Sequence, residues 1–274
     1  MDEGQLDITP VFSNIATQLR SVMSNLHLAA AQLAPAEARD LDPELDAKAA
    51  VLDQSYYQLL RLVNNLTAAS SLGRKDPLPL RDGDLVETVR ALCEPARSLA
   101  ALKGIQLEFL CRTEHHICAF HRPSIETVLY QLISNALKFM EKREGEKNFI
   151  LVDLRFVKQR VRLAVIDNGT GVPEDQIPFL FDRFLHADAV AVQPYGLGLG
   201  LPICQHIAEQ HGGTMMADSM PGQGARFTLS FPDRRCGTLD VSDVKFDYSG
   251  GFNPVLLALS DGLPVQAFLQ RNLD

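Results

Sequence analysis

Apolar side chains recur along residues 8–34 at Phe12, Ile15, Leu19, Val22, Leu26, Ala29 and Leu33. The steps alternate between three and four, which is the seam of a long helix. Pro35 and the acidic stretch EARDLDPELD interrupt it. The pattern resumes at Leu45, Ala49, Leu52, Tyr56, Leu59, Val63 and Leu66. Neither helix is apolar enough all round to be buried in a globule. Two seams joined by a short polar loop predict an antiparallel helical hairpin over residues 1–75. Two such hairpins predict a four-helix bundle in a homodimer.

The segment SSLGRKDPLPLRDGD (70–84) has the glycines and prolines of a linker. Beyond it the period alternates between that of helices and that of strands. Helices are expected near 84–103, 122–142 and 199–211. Strands are expected near 105–110, 148–156, 160–167, 213–218 and 224–231. Helices on one face of a mixed sheet make an α/β sandwich over residues 76–235. The fold class is therefore α+β: a hairpin followed by a sandwich. Residues 236–274 form an appendix, of which NPVLLALSDGLPVQAFLQ is apolar enough to pack on the sandwich or on a partner.

Composition narrows the class of protein. Of 274 residues, 46% are apolar and 22% charged, ordinary for a globular chain. A net charge of −8 argues against nucleic acid as a partner. No apolar run reaches the roughly 18 residues of a membrane helix, so no membrane insertion is expected. MDEGQLDITP does not read as a signal peptide. A cytoplasmic location is the expectation, and five cysteines without a CxxC pair fit a reducing compartment. The run CRTEHHICAFH (111–121) holds enough soft ligand for zinc, but its spacing follows no known finger. It reads as a strand, a turn and a helix start.

Four short blocks carry the chemistry. In QLISNALKFM (131–140), Asn135 and Lys138 lie three apart and share a helix face. An amide oxygen can complete a magnesium shell, and a lysine can reach phosphate oxygens. In VIDNGTGVP (165–173), β-branched residues end a strand and deliver Asp167 to its tip, where a carboxylate can accept from an exocyclic amine. Gly169 and Gly171 let the backbone turn and approach a flat ligand. FLFDRF (179–184) is the third block. In GLGLGLPI (196–203), Gly196, Gly198 and Gly200 open a helix whose first amides form an anion site. Each block alone has a bland reading: a solvated asparagine, a turn, a flexible loop. Their shared order leaves little room for chance.

The set resembles the ATP-binding domain of two-component sensor histidine kinases, within the wider fold of gyrase, the ninety-kilodalton heat-shock chaperones and mismatch-repair ATPases. In that family's terms QLISNALKFM is similar to the N box, DNGTG to the G1 box, FLFDRF to the F box and GLGLGLPI to the G2 box. The resemblance covers residues 84–232. It implies ATP and Mg2+ as cofactors, Asn135 on magnesium with the ATP phosphates, Lys138 on phosphate and Asp167 on the adenine amine. It further implies the glycines around the nucleotide and Arg183 as a remaining cation near phosphate. The family also places a dimerising hairpin just before this domain and a response regulator among its partners.

The first helix of that hairpin normally carries H-E-L-R-T-P-L. Aligned on Leu19 and Arg20, the stretch ATQLRSVM puts Thr17 at the histidine and Gln18 at the acid. Heptad counting puts Thr17 outside the seam, where an acceptor must be. A hydroxyl is a weak nucleophile without a base, and Gln18 cannot act as one. His27 is the only histidine on the helix, in flanks unlike the motif. Gln131 stands where the family's ATPases carry a catalytic glutamate, and His186 where its kinases often carry an arginine. The intact blocks argue for nucleotide binding, and these departures argue against fast phosphoryl transfer. Two functions follow: a histidine-kinase-family signalling protein with a degenerate acceptor, or a non-catalytic, nucleotide-sensing scaffold that docks a partner.

Overall fold

The computed structural model describes residues 9–70, 72, 77–141, 145, 147–182, 198–239 and 252–273. Helix α1 (Thr9–Leu33), the short α2 (Ala36–Leu41) and α3 (Pro43–Ser70) come first. α1 and α3 run antiparallel, stitched by Arg20, whose Nη2 donates to Asn64 Oδ1 (3.0 Å) and Thr67 Oγ1 (3.1 Å). At the turn, the buried Arg39 of α2 bonds Asp46 (2.9 Å) and Asp53 (2.7 Å), both on α3. A guanidinium out of water needs such partners, so the acidic connection folds back onto the hairpin.

The hairpin closes on a different stripe from the expected seam. Among the α1 side chains that the structure describes, from Asn14 on, Ala16 and Met23 are buried. Of the seam residues, Ile15 is 46% exposed, Val22 58%, Leu26 62% and Leu33 82%. On α3 the seam is split, with Ala49 and Val63 buried but Leu52 and Leu59 exposed. The physical reason is that α3 has neighbours on two sides. Tyr57 and Arg61 are committed to the second half of the chain, leaving an uncovered apolar stripe on the outer side of the hairpin.

After β1 (Arg81–Asp84) come α4 (Leu85–Ala101), β2 (Gln106–Cys111), β3 (Ile117–Phe120), α5 (Arg122–Lys138), β4 (Phe149–Val157) and β5 (Arg160–Asp167). They are followed by α6 (Gly200–Gln210), β6 (Thr214–Ser219) and β7 (Ala225–Pro232). Five strands form one mixed sheet in the order β2-β4-β5-β7-β6, with only β2 and β4 parallel. Val161, Leu163 and Val165 of β5 face the core, opposite Phe156, Leu154 and Val152 of β4 and Phe231, Leu229 and Phe227 of β7. Arg155, Arg162 and Arg226 lie on the other, exposed face. This period of two decides the site, because it also turns Asp167 toward the covered face at the strand's end.

The last four residues of the expected linker are not linker. They form β1, which pairs antiparallel with β3. The reason is long-range: Asp82 accepts from the amides of Cys236 and Gly237, both at 2.8 Å. The cysteine–histidine run joins β2, β3 and the start of α5, and its side chains diverge. His115 meets Asp84, His116 meets Asp233 and stacks on Phe156, and His121 meets Ser124. Among the described residues, no group of three or more potential metal ligands converges. Nor does any described helix have the length and apolarity to cross a membrane.

Residues 252–273 form a strap, with α7 (Pro254–Leu259) and two short 3-10 turns. Leu256, Leu259, Ala267 and Phe268 are fully buried. The strap runs between α3 and the helices α4 and α5, so it belongs to the core of the whole molecule.

Candidate functional site

The site is built where α5, the end of β5 and the start of α6 meet. Asp167 is 8% exposed, and its Oδ1 accepts from the Gly169 amide at 2.9 Å. Burial pushes its carboxyl above the ordinary carboxylate value, while the amides of Gly169 and Ala225 pull the other way. Asn168 anchors the strand end, accepting from Phe149 N (2.9 Å) and donating to Lys147 O (3.1 Å). Thr170 N then donates to Phe139 O (3.0 Å), which ties the turn to the C-terminus of α5.

Gly171 is required by both conformation and space. Its φ is +71°, and a Cβ there would lie 2.1 Å from Met220 O. The same turn between β6 and β7 is held by Ser219, whose hydroxyl donates to Gly224 O and accepts from Val172 N, both at 2.8 Å. Ser219 gave no signal in the sequence. It ends a strand pattern, and Val172, which it ties to the turn, lies far from it in sequence.

On α5, Asn135 is half-buried and its main-chain carbonyl accepts from Phe139 N. Lys138, in the last turn, is 10% exposed at its side chain. Burial pulls its ammonium below the ordinary lysine value; Asp261 opposes the fall and Arg61 adds to it. Gln131 is buried, accepting from Arg61 Nη2 (2.8 Å) and donating to Asn65 Oδ1 (2.8 Å). Gly200 opens α6 opposite this side chain, and a Cβ there would stand 2.8 Å from Gln131 Oε1. Two sequence blocks thus touch through an amide. Gly198 lies just ahead, with φ +66°. Arg183, Gly196, His186 and Asp188 lie outside the described residues.

The hairpin enters this cluster through Arg61 and Asn65 of α3, which both bond Gln131. Thr17 and Gln18 are exposed on α1. His27 is packed, with ring centroids 4.6 Å from Tyr56 and 4.8 Å from Phe252. Its ring is a packing element between α1, α3 and the strap. Sequence reasoning missed Arg61 entirely: a single arginine within an apolar helical stretch gives no sign that it reaches Ser134 and Gln131 of another helix.

A family profile described as histidine kinase-, DNA gyrase B-, and HSP90-like ATPase matches residues 121–235. That range holds α5, Asp167 and the start of α6. The chain belongs to the sensor histidine kinase family. Within that family it is 31% identical to the sensor histidine kinase YkoH of Bacillus subtilis, over 65% of this chain and 37% of YkoH. It is 32% identical to the signal transduction histidine-protein kinase AfsQ2 of Streptomyces coelicolor, over 72% of this chain and 35% of AfsQ2. A solved structure of full-length ShkA in complex with AMPPNP aligns with a TM-score of 0.58 and 25% identity, covering 80% of this chain and 46% of ShkA. The chain spans little more than a third of the length of YkoH and AfsQ2, and the profile match stops short of both the hairpin and the strap.

Proposed function

We propose that this chain is a signal-transduction protein that binds Mg-ATP between α5, Asp167 and α6, and that its usual acceptor histidine is replaced by Thr17. The observation that carries the reading is Asp167, a buried carboxylate at the tip of β5 beside a glycine turn too tight for any side chain. Such a group is poised to accept from the exocyclic amine of adenine, with specificity because a buried acceptor without its donor is costly. Lys138 supplies a cation for phosphate, and the amides opening α6 supply a second anion contact. The AMPPNP complex of ShkA supports a nucleotide as the ligand.

Magnesium fits as a nucleotide-borne ion. Asn135 offers one neutral oxygen, and no carboxylate cluster is gathered among the described residues, so most of the ion's ligands would be phosphate oxygens and water. The metal would draw charge from the phosphates. Asn135 would orient it, Asp167 would hold the base, and Gln131, having no carboxylate, would not deprotonate water. We read residues 1–75 as a dimerising hairpin, 76–235 as the ATP-binding unit and 236–274 as an appendix. The uncovered stripe of Ile15, Val22, Leu26, Leu52 and Leu59 supports the dimer, and a response regulator is the partner class that the family suggests.

A second reading is a nucleotide-sensing scaffold, favoured by the solvent-facing Thr17 and Gln18, neither of which is a base. Incubating the full chain with magnesium and γ-labelled ATP separates the two. Mg-ATP should raise the unfolding temperature, and no rapid label should appear on the protein. Acid-stable label lost in Thr17→Ala would make it an unusual kinase, whereas acid-labile label lost in His27→Ala would make His27 the acceptor. Absence of any protection by Mg-ATP would overturn the nucleotide reading itself.

A further inference from the structure

The strap is seated by polar groups that the hairpin turns toward it. Gln54 Nε2 donates to Leu263 O (2.9 Å), and Arg39 Nη2 to Phe268 O (3.1 Å). Asp46 Oδ1 accepts from Gln270 N (3.1 Å). Phe252 and Phe268 pack edge-on to Tyr57, at 5.5 and 5.4 Å. One face of α3 is therefore a receptor for this segment's backbone and rings. The strap's other side lies on α5, which carries Asn135 and Lys138.

At its centre stands Asp261. Its Oδ2 lies 2.8 Å from Arg61 Nη1 and 3.6 Å from Lys138 Nζ. Arg61 in turn donates to Ser134 Oγ (2.7 Å) and to Gln131 Oε1 (2.8 Å). A single carboxylate thus sits between two largely buried cations, one from the hairpin and one from the ATP-binding unit. An oxygen anion between an arginine and a lysine is also the environment a phosphate would select.

We propose that the strap is a latch on the nucleotide site: Asp261 occupies the Arg61–Lys138 pair where a nucleotide phosphate would otherwise draw Lys138, so strap docking and polyphosphate binding oppose each other. The inference rests on the reading of Lys138 as a phosphate contact. Linkage then requires reciprocity, so that a bound triphosphate loosens the strap and frees the ATP-binding unit from α3. The nucleotide's occupancy would be transmitted to the hairpin through a segment unrelated to the ATPase profile.

The test uses the full chain and its Asp261→Asn variant, which keeps the size of the side chain and removes its charge. Affinities for Mg-AMPPNP and for adenosine are measured by calorimetry at fixed ionic strength. The latch predicts that Asp261→Asn binds Mg-AMPPNP about tenfold more tightly, within the usual span of coupling between sites, with adenosine unchanged. It also predicts faster amide exchange across residues 252–273 of the unaltered chain when Mg-AMPPNP is added, a readout available even if the variant folds poorly. Equal or weaker Mg-AMPPNP binding by a folded variant, or exchange in the strap that nucleotide leaves unchanged, overturns the latch and leaves the nucleotide site standing. Failure of both proteins to bind either ligand overturns the nucleotide reading together with the latch.

Discussion

The nucleotide-site half and the acceptor half of this molecule are under different physical constraint. Around Asp167 there is almost no freedom: the carboxylate is buried, Gly171 admits no Cβ, and the turn leans on the end of α5. Around Thr17 there is a solvated helix face. A site enclosed by packing keeps its chemistry because any change costs fold stability as well as binding. A nucleophile on an exposed face has no such protection, and it can be replaced at little structural cost. On the function proposed above, this contrast accounts for an enclosed nucleotide site beside an acceptor position that has changed.

Breaking the link between the halves should have the largest effect. Arg61→Ala leaves Gln131 Oε1 without its guanidinium donor and takes from Asp261 the nearer of its two described cations. Removing one partner of a buried ion pair costs about 3 kcal/mol or more, to be read as a lower urea midpoint. A midpoint within a few tenths of a kcal/mol of the unaltered chain would mean that water enters and replaces these contacts. Next in size is Asp167→Ala, which tests the constrained half alone. Losing a hydrogen bond from a charged acceptor should weaken Mg-ATP binding roughly 10- to 100-fold. Unchanged affinity would remove Asp167 from the site.

How much of this was legible follows the same division. The period of two along RVRLAVID is a local property, and it carries Asp167 to the covered face without reference to anything distant. The sheet and the helices on it were legible for the same reason. The β1–β3 pair was not, since a polar RDGD becomes a strand only because Asp82 caps amides near residue 236. The hairpin was legible as two helices, yet not which stripe closes it, because period alone cannot say which neighbour takes which face. Arg61 and Asp261 meet only after folding, and neither sits in a pattern that announces a partner. Arg183 and Gly196 stand outside the described residues.

A smaller effect probes the constrained half by pH. His211 is 1% exposed; its Nε2 accepts from the His121 amide (3.1 Å), so Nδ1 carries the proton, donated to Ile207 O (2.8 Å). Protonating Nε2 would set two donors against each other. Burial holds the His211 pKa below the ordinary 6.5, with His121 adding to the fall and the Ile207 carbonyl opposing it. A depressed pKa means stability that is fully present above about 6.5 and lost as pH falls through the folded value. Urea midpoints should therefore decline on acidification below that point, and less so in His211→Gln, whose amide can make both bonds. Parallel declines in the two proteins would assign the acid sensitivity to other groups.

The smallest effect is expected on the acceptor face, and its smallness is informative. Thr17→Ala removes an exposed hydroxyl, and substitutions at such positions usually stay within about 0.5 kcal/mol. Neither the urea midpoint nor the affinity for Mg-ATP should move. If either moved, Thr17 would be coupled to the nucleotide half, and the contrast between the halves would fail. If neither moves while the Asp167 and Arg61 variants behave as expected, the position is free to vary. A histidine could then be placed there by Thr17→His together with Gln18→Glu without disturbing the fold. Acid-labile label appearing in that double variant alone would show that the nucleotide half retained its capacity for transfer and lacked only a nucleophile.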